Sequence, residues 1–282
     1  MVVFPNCKIN IGLNITEKRA DGFHNIESIF YPIPWHDALE IVPASKTQLH
    51  TSGITIDCSM EKNLVYKAYQ LLQKDFTQIA IGVSPIDIYL HKAIPMGAGL
   101  GGGSSNAAYM LKLCNDYFKL NLASKQLEDY ARELGSDCAF FIQNKAVFAF
   151  DKGDDFEPIK MPNLSNYKIL IVYPDIHIDT TKAYKNITPQ SPNTSLKDLI
   201  KKPISDWKHT IQNDFEQVIF KQHPEIENIK NTLYNEGALY ASMSGSGSAV
   251  YGIFEKEKMT TFKQFDNYLI YANDFPNEFN FK

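Results

Sequence analysis

The stretch Pro95–Ala108 reads PMGAGLGGGSSNAA, with five glycines among the seven positions from Gly97 to Gly103. Glycine has no Cβ and enters the φ > 0 region freely, so such a run can curl until several backbone N–H groups point at one ligand. Ser104, Ser105 and Asn106 are residues that cap helix N-termini. After them Ala107, Met110, Leu111, Cys114 and Phe118 recur at helical spacing. A short strand, Ile86–Leu90, comes before. Strand, glycine crook and helix, in that order, form an anion site above the positive end of a helix, and phosphate is the anion that such sites commonly hold.

The type of phosphate loop can be narrowed. A Walker loop ends in Gly-Lys-Ser/Thr, and no lysine follows these glycines. Gly97, Gly99 and Gly102 do fit Gly-x-Gly-x-x-Gly. A dinucleotide fold would then need a second strand ending in an acid about twenty residues on. The sequence NDYFKLNLASKQLEDY opens another helix instead. A second small-residue loop, Ser244-Gly245-Ser246-Gly247-Ser248, lies between two apolar runs, too compact for a linker and too polar for a core.

The elements that must position these loops follow from periodicity. Residues 3–15 alternate, with Ile9, Ile11, Leu13 and Ile15 on one face and Lys8, Asn10, Gly12 and Asn14 on the other. On periodicity alone that second face is a solvated surface. Asp21-Gly22 marks a turn, and the chain returns as a strand to form a hairpin. Strands are expected at ALEIV and GITID within 38–57, a helix after Asn63, and a helix over SKQLEDYAREL capped by Ser124. Asp137 fits an N-cap before CAFFI. A hairpin KAVFAF-DKGDD-FEPI closes the first domain, placed at 1–154. The second domain, 155–282, opens with the strand YKILIVYP and continues through a polar loop at 186–206. Helices at 210–222 and 224–236, strands LYASM and AVYGIF, and a last helix and strand follow. Strands and helices mix with long crossovers in both halves, so the fold class is α+β in two domains.

Composition bounds the function. At 282 residues the chain has room for two ordinary domains, and 44% hydrophobic with 21% charged residues describes a globular protein. A net charge of −4 supplies no general basic field, which argues against nucleic acid as a partner. Cys7, Cys58, Cys114 and Cys138 are widely spaced, as in a reduced, cytoplasmic protein rather than a disulfide framework or zinc site. No apolar run approaches a membrane span, and the start MVVFPNCKINIGLNI is not a signal-peptide core. His24 has no second ligand at metal spacing, and no metal site is read from the sequence.

Three stretches together resemble the GHMP kinase superfamily. They are Cys7-Lys8-Ile9-Asn10-Ile11-Gly12-Leu13 with Arg19-Ala20-Asp21-Gly22-Phe23-His24, the Pro95 loop, and Ser242-Met243-Ser244-Gly245-Ser246-Gly247. Within it, Gly99-Leu100-Gly101-Gly102-Gly103-Ser104-Ser105 is most similar to the branch acting on a cytidine diphosphate-linked methylerythritol. The resemblance covers nearly the whole chain and is weakest in 186–210 and after 255.

What the resemblance implies is a two-domain GHMP kinase fold with mixed sheets, helices and an interdomain cleft. The activity would be ATP-dependent phosphorylation of the substrate's 2-hydroxyl, in isoprenoid precursor synthesis. A homoserine or mevalonate type of kinase, or a non-catalytic sensor on the same fold, is the alternative. Asp137 would be the catalytic carboxylate and Lys8 its partner. Pro95, Gly97, Gly99, Leu100, Gly101, Gly102, Gly103, Ser104 and Ser105 would hold ATP, with Asn63 and Lys92 on the same side. Mg²⁺ would sit against the β- and γ-phosphates, with Ser104 or Ser105 contributing directly or through water. Phe23 and Tyr184 would sandwich the cytosine and His24 would bond its edge. Asn10 and Thr180 would hold the erythritol and diphosphate, and Gly245 would close the cleft. Phe23 departs from the family's tyrosine: the ring face survives and the hydroxyl is lost. The partner implied is the small-molecule substrate alone, on a monomer or weak homodimer.

Overall fold

The structure, a computed structural model, describes residues 1–76, 83–258 and 263–276. The chain begins with β1 (Val2–Val3) and a long hairpin, β2 (Asn6–Lys18) and β3 (His24–His36). It continues through β4 (Ala38–Pro43), β5 (Gln48–Gly53), α1 (Leu64–Asp75) and β6 (Ile86–Lys92) to α2 (Gly102–Tyr117). Then come α3 (Ser124–Leu134), α4 (Phe140–Gln143) and the hairpin β7 (Val147–Phe150), β8 (Asp155–Pro158). The second half holds β9 (Tyr167–Tyr173), α5 (Thr180–Lys185), α6 (Leu196–Leu199), α7 (Ile204–Thr210), α8 (Glu216–Gln222) and α9 (Pro224–Asn235). It ends with β10 (Tyr240–Met243), β11 (Val250–Glu255) and β12 (Leu269–Asp274).

The strands form three four-stranded sheets, ordered β1-β4-β6-β5, β2-β3-β7-β8 and β10-β11-β9-β12. Only β5–β6 is parallel among these pairs, and α1 lies in the crossover between them. The strand expected at GITID falls earlier, at β5. Gly53 ends it with φ +79°, where a Cβ would come within 2.2 Å of the Lys92 carbonyl oxygen. The α+β class stands, with the first sheet packed under α1 and α2 through Leu39, Ile41, Val65, Leu72, Ile88 and Met110.

A second apolar cluster joins Cys7, Ile9, Ile11, Ile29 and Ile33 of the long hairpin to Ile169, Ile171, Trp207 and Tyr251 of the second half. The two halves therefore share a core at the foot of the cleft. The stretch 186–206 is not simply a polar loop: it contains α6 and the start of α7. Leu196, Ile200, Ile204 and Trp207 are at most 3% exposed. Their near-helical spacing was in the sequence, masked by the serines, lysines and prolines between them.

The β2–β3 register shifts at three places, and the shift at Gly12 is the one that re-aims side chains at the cleft. Ile11 pairs with Ile29 and Leu13 with Ser28, so Gly12 is an extra residue, a bulge at φ +70°. A one-residue bulge moves the side chains that follow it, up to the next shift between Ile15 and Glu17, to the opposite face. Leu13 thus joins the face of Lys8 and Asn10 and lines the cleft, while Ile9 and Ile11 point into the shared core.

Candidate active site

β6 delivers the chain to Pro95, and the crook that follows turns through three left-handed glycines, Gly97, Gly99 and Gly101. At Gly99 (φ +76°) a Cβ would lie 1.9 Å from the carbonyl oxygen of Ser244, so the two small-residue loops meet backbone to backbone. Gly101, at φ +69°, is the cap of α2. The helix consequently starts before the serines. Ser104, Ser105 and Asn106 occupy its first turns instead of capping it. Ser105 N–H donates to Gly101 O at 2.9 Å, which leaves the N–H groups of Gly102, Gly103 and Ser104 free of helical acceptors. Ser104 lines the cleft, while Ser105 is fully buried with its Oγ unpartnered.

Lys8 packs directly against the crook: a Cβ on Gly101 would lie 3.2 Å from its Cε. Its Nζ lies 3.2 Å from Asp137 Oδ2 and donates to Asn10 Oδ1 at 2.5 Å. The ammonium also sits 4.6 Å above the ring of Phe30. Lys8 is only 3% exposed, so this face of β2 is the wall of a cleft and not a solvated surface. A buried ammonium is costly unless paired, and Asp137 with Asn10 supplies the partners. Asp137 keeps 34% of its side chain exposed, toward the cleft. It is not an N-cap: Ala139 holds that position for α4.

Asn10 ties the lysine strand to both loops. Its Nδ2 donates to Ser28 Oγ at 2.8 Å, and Ser28 donates on to the Gly12 carbonyl at 2.7 Å. Its N–H donates to Ser244 Oγ (3.1 Å), and that hydroxyl donates to Gly99 O (2.8 Å). Tyr251 donates its phenol to Asn10 O at 2.8 Å. From the other side Asn213 Nδ2 donates to Met243 O and Gly245 O, each at 2.8 Å. Ser244 and Asn213 are positioning residues missed in the sequence. Ser244 sat inside a loop read only for its glycines, and Asn213 carried no signal.

At the far end of the cleft, Arg19 explains the Arg-Ala-Asp-Gly turn. It pairs with Asp21 at 3.2 Å and with Asp151, and donates to Asn25 Oδ1 at 2.8 Å, pinning the hairpin tip to the β7–β8 turn. Asp21 Oδ1 accepts the N–H of Phe23 at 3.0 Å. Phe23 is left 57% exposed on the cleft rim. His24, rather than Phe23, stacks on Tyr184, with centroids 4.9 Å apart and planes at 19°. Burial, then the nearby Lys18, lowers the pKa of His24, which favours a neutral imidazole. Burial and Asp137 push the Tyr184 phenol up to about 12. Thr180 Oγ1 and Ser246 Oγ share a hydrogen bond of 2.9 Å beside Gly245.

Lys8, Asn10, Phe23, His24, Pro95, Gly97, Gly99, Gly101, Gly102, Gly103, Ser104, Asp137, Thr180, Tyr184 and Gly245 all line one cavity of about 900 Å³. Four predicted residues do not. Asn63 caps α1, accepting the Val65 N–H at 2.9 Å, and its neighbour Leu64 lines the cleft instead. Leu100 and Ser105 are buried, Leu100 offering its carbonyl to Lys8 N–H at 3.0 Å. The Lys92 ammonium is buried against Asp37 and Asn106, away from the cavity. Lys18, Lys152 and Phe215 line the wall and were not singled out in the sequence.

The GHMP kinases N terminal domain matches residues 63–145, and the GHMP kinases C terminal domain matches residues 195–262. A 4-diphosphocytidyl-2-C-methyl-D-erythritol kinase of Bacteroides fragilis is 52% identical over 270 residues, covering 94% of this chain and 96% of that one. One from Bacteroides thetaiotaomicron is 54% identical over 261 residues, covering 91% and 93%. A solved 4-(cytidine 5'-diphospho)-2C-methyl-D-erythritol kinase superposes with TM-score 0.75 at 28% identity, covering 89% of each chain. The homoserine kinase of Cytophaga hutchinsonii, at 17% identity and TM-score 0.63 over 95% of this chain and 94% of that one, shares the fold.

Proposed function

The chain belongs to the 4-diphosphocytidyl-2-C-methyl-D-erythritol kinases, within the GHMP kinases, and we propose that the cleft at the glycine crook performs that reaction with Lys8 and Asp137 at its centre. It is an ATP-dependent small-molecule kinase that transfers a phosphoryl group to the 2-hydroxyl of 4-diphosphocytidyl-2-C-methyl-D-erythritol. The observation that carries the residue assignment is the 3.2 Å ion pair of Lys8 and Asp137 in the cavity that the glycine crook also lines.

Phosphoryl transfer asks little covalent chemistry of a protein; it needs positioning and charge stabilisation. The crook from Gly97 to Ser104 wraps the triphosphate in backbone N–H groups, above the positive end of α2. An alcohol proton lies far above an aspartate's pKa, so Asp137 cannot strip the hydroxyl in advance. As the oxygen bonds to the γ-phosphorus and the bond from that phosphorus to the departing ADP oxygen breaks, the hydroxyl proton becomes acidic, and a carboxylate already hydrogen-bonded to it takes the proton at Oδ. Lys8 stabilises charge on the attacking oxygen and holds Asp137 in place. Cytosine lies against the rings of Phe23 and Tyr184 with neutral His24 at its polar edge. Asn10, Thr180 and Gly245 meet the diphosphate and erythritol.

Mg²⁺ fits the oxygens that the cleft offers. Ser104 and Asp137 face the cavity, whereas Ser105 is buried outside it. Such a sparse set suits an ion that takes most of its shell from phosphates and water. Ser104 and Asp137 would hold it, and when bound it draws negative charge off the β- and γ-phosphates. Four free thiols, at Cys7, Cys58, Cys114 and Cys138, support a reducing, cytoplasmic setting.

The test is ADP release with the cytidine diphosphate-linked alcohol against methylerythritol phosphate lacking cytidine. Turnover confined to the first supports the assignment; equal turnover on both removes Phe23, His24 and Tyr184 from it.

A further inference from the structure

Beneath the crook lies a closed ring of three buried side chains. Asp37 sits between β3 and β4, Lys92 ends β6, and Asn106 stands on α2. None is more than 2% exposed. Lys92 Nζ pairs with Asp37 Oδ2 and donates to Asn106 Oδ1 at 2.9 Å, while Asn106 Nδ2 donates to Asp37 Oδ2 at 2.9 Å. Asp37 Oδ1 accepts the backbone N–H groups of Ala93 (2.7 Å) and Ile94 (2.9 Å). One carboxylate thus holds the chain immediately before Pro95, and through Asn106 it holds the helix immediately after Gly103. The crook hangs between those two attachments.

Lys92 does not act on phosphate directly. Its ammonium is buried and its charge is cancelled by Asp37. A cation under a helix N-terminus would also oppose the dipole if left unpaired. A Cβ on Gly102 would lie 3.2 Å from Lys92 Nζ, so the floor of the crook rests against the ammonium itself. Buried ion pairs add little net stability compared with apolar side chains of the same size, so the contribution of this one is geometric. We infer that Asp37, Lys92 and Asn106 are positioning residues that fix both ends of the crook and thereby set nucleotide affinity without touching the nucleotide. The inference rests on the crook being the triphosphate site.

Lys92→Met alone strands a buried carboxylate and is expected to unfold the chain. Two milder variants carry the test. Asn106→Leu cuts α2 free and keeps the ion pair. Asp37→Asn combined with Lys92→Met removes both charges and keeps an oxygen for Ala93 and Ile94. The expected result for either is a rise in KM for ATP of about tenfold or more, with kcat at saturating ATP and KM for the cytidine substrate each within about threefold. Calorimetry with a non-hydrolysable ATP analogue should show the same loss of affinity. A lowered melting temperature with unchanged KM for ATP would overturn the inference, as would equal losses for both substrates. A wild-type chain that binds no ATP analogue would overturn the triphosphate reading instead.

Discussion

Lys8 Nζ and Asp137 Oδ2 stand 3.2 Å apart, one from the middle of β2 and the other from the turn between α3 and α4. Neither is close to the other in sequence, and neither has a reason in local structure to be where it is. Lys8 is buried in a strand and Asp137 caps no helix. Their meeting point and the glycine crook line the same cavity. In the proposed mechanism that convergence is where the hydroxyl attacks phosphorus.

Lys8→Met replaces the ammonium with an apolar side chain of similar length. The Asp137 carboxylate is 34% exposed and stays solvated, so the variant should fold. Steady-state kinetics should show kcat reduced about 10²- to 10³-fold, the range for losing one charge-stabilising donor, with KM for ATP little changed. A kcat within threefold would remove Lys8 from the reaction.

Gly99→Ala puts a Cβ 1.9 Å from the Ser244 carbonyl oxygen and forces alanine to φ +76°. The left-handed conformation alone costs roughly 1–2 kcal/mol, and the contact forces the two loops apart. A melting temperature lower by several degrees should accompany a KM for ATP raised by about tenfold or more. An unchanged melting curve would mean that the loops do not meet.

Phe23→Ala trims a side chain that is 57% exposed, so no folding penalty complicates it. If the ring stacks on cytosine, KM for the cytidine substrate should rise by about 5- to 150-fold, corresponding to roughly 1–3 kcal/mol of stacking. Melting temperature and KM for ATP should stay level. Equal KM for the cytidine substrate in variant and wild type would leave His24 and Tyr184 as the only ring contacts.

His24 supplies a pH signature. Burial and Lys18 lower its pKa, so the cleft holds the imidazole neutral at a pH where a free histidine would charge. The folded chain therefore binds fewer protons than the unfolded one below the ordinary value of about 6.5. Stability from this group is fully present above that value and falls as acid drives protonation through the lowered folded pKa. KM for the cytidine substrate should be flat from about pH 8 to about 6.5 and rise only below it. A steep rise already above about 6.5 would show that the imidazole charges in the cleft.

Much of this was readable in the residues, for reasons that differ by element. The crook was legible because three left-handed glycines can hardly be anything but glycine. The β2–β3 hairpin announced itself through Asp21-Gly22. Lys8 and Asp137 were different: periodicity made one a surface lysine and the other a cap, and only resemblance to known kinases joined them. The Gly12 bulge could not be seen in an alternating pattern, which is why Leu13 was assigned to the wrong face. Resemblance put Lys92 on the ATP side, but Asp37, distant in sequence, binds its ammonium. The helix α6 was hidden because its apolar residues are spaced among polar ones and become a face only once packed on the shared core.

Replacing Asp137 by alanine, with turnover and nucleotide affinity measured on the same preparation, tests the convergence of amine and carboxylate most directly. Removing the carboxylate should lower kcat on the cytidine substrate by about 10²- to 10⁴-fold, while the affinity for a non-hydrolysable ATP analogue stays within about threefold of wild type. Turnover at the wild-type rate from that variant would contradict the account, because the hydroxyl would then need no carboxylate in the cavity that the crook lines.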